Sequence, residues 1–227
     1  MILQNDTRKH LQAHHGDFTE FADRMVETYQ GRFDQVFFAF LDQYISPHEI
    51  KCAIDLGTGP GVFLRDLKAR FPQAKIIGVD AQEAMLIRAK ELLADDVGKG
   101  LNLIEWDLAC PPITPIDNES VDLVTSNMVL HEMQLPTKLL QEIARILRPG
   151  GWLVLSDWIR FDLQVYSNGT LPETIENIHH FAEHCRYTPQ DIVWMAACVA
   201  LQPIEWMTRK QGQRFLGVFE KLATKSD

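Results

Sequence analysis

The sequence predicts a doubly wound α/β fold around a mostly parallel sheet. Three observations predict it. Short apolar runs of strand length alternate with amphipathic stretches of helical period between residues 51 and 158. A glycine-rich turn, Gly57-Thr58-Gly59-Pro60-Gly61, joins the first of those strands to the helix after it, and ligands sit at such turns. Two strand-like runs, residues 203–209 and 214–221, close the chain through Gln211-Gly212-Gln213 as a hairpin.

Residues 1–16 read as a frayed start. His10, His14 and His15 include an i,i+4 pair, but no carboxylate or cysteine pattern completes a metal set, so a solvated helix face is the simpler reading. Phe18, Phe21, Ala22, Met25 and Tyr29 then recur at helical spacing, with Asp17 or Thr19 placed to cap. A second amphipathic stretch carries Phe33, Val36, Phe37, Phe40, Leu41 and Tyr44 and stops near Ser46-Pro47. Neither helix can bury its apolar face alone. Residues 1–48 are therefore expected to form a helical cap, which either lids the open end of the sheet or only closes the core.

Residues 51–56 read as the first strand, and 60–71 as a helix broken by Pro72-Gln73. Residues 75–79 make the second strand, ending in Asp80. A helix over 81–93 shows Met85, Ala89, Leu92 and Leu93 on one face. After a polar loop, 101–105 alternates as a third strand and Trp106-Asp107-Leu108 follows. Pro111, Pro112 and Pro115 stiffen the next connection. Residues 121–126 are apolar enough for a strand buried on both faces. They lead into Asn127-Met128-Val129-Leu130-His131-Glu132-Met133, which leaves a central strand and should line a pocket. A helix over 136–148 has Pro near its start and Pro149-Gly150-Gly151 as its stop, and 152–156 reads as the fifth strand.

Residues 157–187 are too long for a simple connection and hold Trp158, Phe161, Tyr166, His179, His180, Phe181, His184 and Tyr187. A helix is expected over 172–185. The segment 158–187 is read as an insertion above the pocket and a candidate substrate lid. His180 and His184 are four apart beside Glu183, without a third ligand to complete a metal site. Thr188-Pro189-Gln190-Asp191 opens a capped helix running to about Leu201. With no repeat and no low-complexity linker, residues 1–227 read as one domain.

The spacing of the glycine turn discriminates between ligands. Dinucleotide sites use G-x-G-x-x-G, with a pyrophosphate on the helix N-terminus. Here the pattern is G-x-G-x-G, and position 62 is Val. Asp55, two residues before the first glycine, would repel a pyrophosphate and suits a ligand bearing an ammonium group. These residues resemble motif I of the class I S-adenosylmethionine-dependent methyltransferases; a plain βα turn of another Rossmann-like protein is the alternative for the turn alone.

Other segments extend the resemblance. Ile77-Gly78-Val79-Asp80-Ala81 is similar to the family segment whose acid holds the ribose hydroxyls. Asp107-Leu108 matches by position the Asp and backbone that meet adenine. Residues 127–133 resemble the loop after the fourth strand, without the Asn/Asp-Pro-Pro-aromatic signature of enzymes that methylate amino groups of nucleobases and glutamine. Leu147-Arg148-Pro149-Gly150-Gly151-Trp152-Leu153 resembles the motif before the fifth strand. The resemblance covers about residues 50–157 and, by topology, the closing hairpin. It implies a Rossmann-like, seven-stranded, mostly parallel sheet with an antiparallel C-terminal hairpin strand.

It also implies S-adenosylmethionine as cofactor, held by Asp55, Gly57, Thr58, Gly59, Gly61, Asp80, Ala81, Met85, Asp107, Leu108 and Asn127, and methyl transfer by in-line displacement. His131 is the candidate general base or acceptor contact, because its loop faces the pocket and its intrinsic pKa is near neutral. A hydrogen-bonded structural histidine is the competing reading.

Composition narrows the partners. A formal charge of −9 argues against nucleic acid, which needs a basic footprint. The N-terminus lacks the apolar core of a signal peptide, and the longest apolar run, 193–201, is too short to span a membrane. Cys52, Cys110, Cys185 and Cys198 form no C-x-x-C pair and read as reduced thiols of a cytoplasmic protein. An aromatic, histidine-dotted lid on an acidic chain suggests a small, partly apolar methyl acceptor. Two other classes stay open: a nicotinamide-dependent oxidoreductase, against which position 62 and Asp55 argue, and a catalytically silent cofactor-binding scaffold. Nothing in the sequence selects among O-, N- and C-methylation or sets an oligomeric state.

Overall fold

The computed structural model describes residues 16–162 and 175–223. The readings made for His10, His14, His15, Tyr166 and the His180 side chain lie outside the described residues.

Three helical segments come first: α1 (Phe18–Glu27), α2 (Tyr29–Arg32) and α3 (Gln35–Tyr44). Asp17 caps α1 by accepting from the Thr19 N–H at 2.7 Å, and Asp34 caps α3 through the Phe37 N–H at 3.1 Å. The sheet-bearing part follows as β1 (Cys52–Leu56), α4 (Val62–Arg70), β2 (Lys75–Asp80), α5 (Glu83–Leu92), β3 (Leu101–Glu105), β4 (Val121–Asn127), α6 (Pro136–Ile146) and β5 (Leu147–Trp158). The chain continues as α7 (Ile175–His184), α8 (Pro189–Ala197), β6 (Leu201–Arg209) and β7 (Arg214–Lys221). Thr188 and Asp191 form a reciprocal capping box on α8.

The seven strands lie in the order β3-β2-β1-β4-β5-β7-β6. All neighbours from β3 to β5 are parallel, and β7 runs antiparallel to both β5 and β6. Apolar residues fill both faces. One side packs Ile54, Leu56, Ile77 and Val124 against Leu139, Ile143 and Ile192 of α6 and α8. The other packs Ala53, Ile76 and Val218 against Phe63 and Leu67 of α4 and Phe37 and Leu41 of α3. Helices on both faces of a largely parallel sheet make the doubly wound architecture expected.

The two alternatives for the cap are divided between its helices. In α3, Phe37, Phe40 and Leu41 are buried in the core, and Phe33 just before it stacks on Phe63 with centroids 4.5 Å apart. In α1 only Ala22 is buried. Its Phe18, Phe21 and Met25 instead line a cavity above the sheet.

Boundaries differ from the sequence reading in places: α8 ends at Ala197 rather than near Leu201, which instead opens β6, and β5 differs most. Pro149-Gly150-Gly151 does not stop α6, which ends at Ile146; these residues lie inside β5. Val121 pairs with Leu147 and Leu123 with Trp152, so the β5 side of the ladder bulges between the two pairs. Gly150 takes φ +71°, and a Cβ on Gly151 would meet the Arg148 carbonyl oxygen at 2.9 Å. The glycines accommodate a bulge rather than a helix end.

Candidate active site

In this strand order, β1 sends its crossover to one side and β4 begins the other half, so the chain diverges above the carboxyl ends of β1 and β4. Such a switch point opens a crevice by topology alone. The glycine turn lies there. Gly57 and Thr58 both donate to the Val79 carbonyl, at 2.8 and 2.9 Å. Gly59 N–H donates to Asp80 Oδ2 at 2.8 Å, while Asp80 Oδ1 accepts from Gln82 N–H at 2.9 Å. One carboxylate therefore ties the turn after β1 to the loop after β2. Gly57 has φ +73°, and a Cβ there would lie 2.2 Å from the Val129 side chain. The turn and the loop after β4 close to a separation only glycine permits.

Above the turn is a cavity of about 480 Å³, the size of a small-molecule site. Of the residues singled out from sequence, Gly57, Gly59, Asp80, Ala81, Met85, Asp107, Leu108 and His131 line it. Asp55, Thr58 and Asn127 line a smaller recess of about 30 Å³, which shares Met25, Arg32, Gly57 and Met128 with the main cavity. Gly61 reaches neither. With φ +78°, it lets α5 approach: a Cβ there would meet Ala89 Cβ at 2.8 Å.

Asp55 is buried and accepts from Thr125 Oγ1 at 2.7 Å and Asn127 Nδ2 at 3.4 Å. Burial pushes its carboxyl up to about 6, against the pull of those hydrogen bonds and with help from the Asp80 charge. Burial also raises Asp80, opposed by the backbone N–H groups it accepts. Asp107, buried after β3, accepts from Ala109 N–H at 2.9 Å.

His131 lies in a short 3-10 turn after β4, Leu130–Glu132. Its Nδ1 is 2.5 Å from Asp157 Oδ1 and its Nε2 is 3.1 Å from Glu132. Burial pulls its pKa down, but the Asp157 charge and hydrogen bond, with Glu132 adding to both, push it up to about 9. That shift favours the imidazolium form at neutral pH. Asp157, fully buried near the end of β5, also accepts from the N–H groups of Val129 at 2.9 Å, Leu130 at 2.6 Å and Trp158 at 2.7 Å. It fixes the whole loop after β4. Glu132 in turn reaches His184 Nε2 at 3.3 Å.

Asp157, Arg32 and Arg214 escaped the sequence reading, while Glu132 was read only as part of the pocket-lining segment 127–133, where it does lie. Asp157 carried a signal of the kind used for Asp80, an acid near the carboxyl end of a central strand. Arg214 carried none, because its place follows from β7 pairing with β5, where Arg214 faces Trp158. Among the described residues no group of three His, Cys, Asp or Glu is placed to hold a metal ion, and no described helix is long and apolar enough to cross a membrane.

Known proteins share part of this sequence and its fold. Residues 54–155 match the family model described as a methyltransferase domain. The trans-aconitate 2-methyltransferase of Azoarcus sp. (strain BH72) is 36% identical over 102 residues, covering 45% of this chain and 37% of that protein. The malonyl-[acyl-carrier protein] O-methyltransferase of Methylococcus capsulatus is 37% identical over 105 residues, covering 45% of this chain and 36% of that protein. The chain thus spans little more than a third of the length of these relatives. A SAM-dependent methyltransferase from Aquifex aeolicus superposes with a TM-score of 0.68 at 18% identity, covering 91% of this chain and 99% of that one, and shares the fold.

Proposed function

We propose, from the premise that this chain carries a class I S-adenosylmethionine-dependent methyltransferase domain, that it transfers a methyl group from S-adenosylmethionine to a small-molecule acceptor. One observation carries the reading: the glycine turn, pinned by Asp80, opens onto a cavity with Asp107 on its wall and Asp55 in an adjoining recess.

The residues present fit this cofactor. Asp80 commits one lone pair on each oxygen to the loops, which leaves acceptor capacity for ribose hydroxyls. Asp107 would meet the adenine amine. In the recess, Asp55 offers a carboxylate to an ammonium group and Arg32 a guanidinium to a carboxylate, the two charges of an amino acid. When bound, the sulfonium makes its methyl carbon electrophilic. The chain's own part is to hold the acceptor in line and exclude water. Phe18, Phe21 and Met25 of α1 close the cavity from above, and Trp158 closes it from the side.

His131 is assigned here to contact the acceptor. A pKa near 9 argues against a base, which would first have to give up its proton, and with both ring nitrogens taken by Asp157 and Glu132 the contact would be made by the ring's C–H edge and charge at the cavity wall. The segment 158–187 is read as a substrate lid; its residues 163–174 lie outside the described residues, and of the rest Phe161 and Phe181 cluster with Trp158. A cytoplasmic location and an acceptor other than nucleic acid complete the proposal, carried by the unpaired cysteines and the acidic charge.

Calorimetry tests it. S-adenosylhomocysteine should bind and NAD should not. With a labelled methyl donor and a metabolite extract, label should enter a small molecule, and His131→Ala should keep cofactor affinity but cut turnover at least tenfold. Preference for NAD, or unchanged turnover in His131→Ala, refutes the corresponding claim.

A further inference from the structure

The cavity runs along the strand order. Asp107 follows β3, Asp80 ends β2, Gly57 follows β1, Met128 follows β4, Trp158 ends β5 and Arg214 begins β7. Strands lie about 4.8 Å apart, so the acids and glycines occupy one end and Arg214 the other. Resting on the methyl-transfer reading above, that division puts the nucleoside over β1 to β3 and leaves the far end to the acceptor.

Arg214 is an unusual wall for an acceptor pocket. Its guanidinium carbon sits 3.7 Å from the centroid of the Trp158 ring. One Nη contacts Met128 Sδ, a weak acceptor, and its Nε has no hydrogen-bond partner among the described residues. No carboxylate among the described residues is hydrogen-bonded to it. The nearby Asp157 charge favours it, but both Asp157 oxygens are engaged by His131 and backbone N–H groups, and the Arg32 charge opposes it. Burying a cation without an anion bonded to it is costly, and a guanidinium fork matches a carboxylate or phosphate. Arg32 borders the recess beside Asp55, where the charged end of the cofactor would lie; Arg214 does not.

We propose that Arg214 binds an anionic group of the methyl acceptor, so that the acceptor is a small organic acid or phosphate ester with an apolar body. The indole of Trp158 covers the guanidinium, and Phe18, Phe21 and Met133 give the shared cavity the apolar wall such a body needs.

The test uses the full chain saturated with S-adenosylhomocysteine, whose own binding is measured first and reports on the cofactor reading separately. Phenylacetate, phenyl phosphate and phenylacetamide are then titrated by calorimetry. At least one anion should bind tenfold or more tightly than the amide; which anion does so separates carboxylate from phosphate. Arg214→Gln should abolish that preference, and Arg214→Lys, which keeps the charge but not the fork, should retain part of it. Cofactor affinity should stay within twofold in both variants. The proposal is overturned if the amide binds as well as both anions, if neither anion binds at millimolar concentration to cofactor-loaded protein, or if the preference survives in Arg214→Gln or is untouched in Arg214→Lys.

Discussion

Asp55 shows how a single residue can be placed by one demand and tuned by another. It lines the small recess that adjoins the main cavity at the glycine turn, where burial raises its carboxyl to about 6. A ligand ammonium group favours the ionised form, so binding competes with protonation. If only ionised Asp55 binds, apparent affinity scales with the ionised fraction, which falls about tenfold between pH 7 and pH 5. S-adenosylhomocysteine titrations over that range should show this weakening, and Asp55→Asn should bind weakly at every pH without the slope. A flat wild-type profile would mean that Asp55 is structural. Asp55 was legible as a residue because its chemistry and its distance from Gly57 are both local. Its pKa was not, since it balances burial by the assembled fold against hydrogen bonds from Thr125 and Asn127 of β4, 70 and 72 residues away.

At the scale of elements, the two main cap helices have similar sequence patterns and different work. Helix α3 contributes to the core, whereas α1 roofs the cavity. Phe37 is fully buried, so Phe37→Ala should lower unfolding free energy by about 3–5 kcal/mol in urea melts. Phe21 is only half-buried, so Phe21→Ala should cost about 1 kcal/mol or less while weakening S-adenosylhomocysteine binding several-fold. Equal stability losses would contradict this division. Helical period is written in the chain and was readable, but the surface a helix meets is not. The bulge in β5 makes the same point: Pro149-Gly150-Gly151 breaks a helix in any local reading, and only pairing with β4 draws it into a strand. Arg214 depends on a still longer-range pairing, with β5 ordered before β7 can set it over Trp158.

Across the whole molecule, the contact of His131 with Asp157 joins the loop after β4 to the end of β5, and its proton is part of the fold. The folded pKa is about 9, against an unperturbed value near 6.5. A raised pKa contributes stability that is fully present below the unfolded value and is lost as pH rises through the folded one. Over pH 6.5 to 9 the folded state therefore holds up to one more proton than the unfolded chain, and unfolding free energy should fall by as much as about 3 kcal/mol. Asp55 does not supply this slope, because its pKa of about 6 places its own loss at lower pH. Nor does Cys185, whose thiol burial pushes up to about 12, since that difference begins only near pH 9. Urea melts at pH 6, 7.5 and 9 should show the decline. In His131→Asn the slope should flatten, and stability at pH 6 should drop by about 3 kcal/mol, the low end for breaking a buried pair because three backbone N–H groups still hold Asp157. A wild-type profile that is level from pH 6.5 to 9 would place the His131 proton outside the folding equilibrium and leave the ring neutral at the cavity wall.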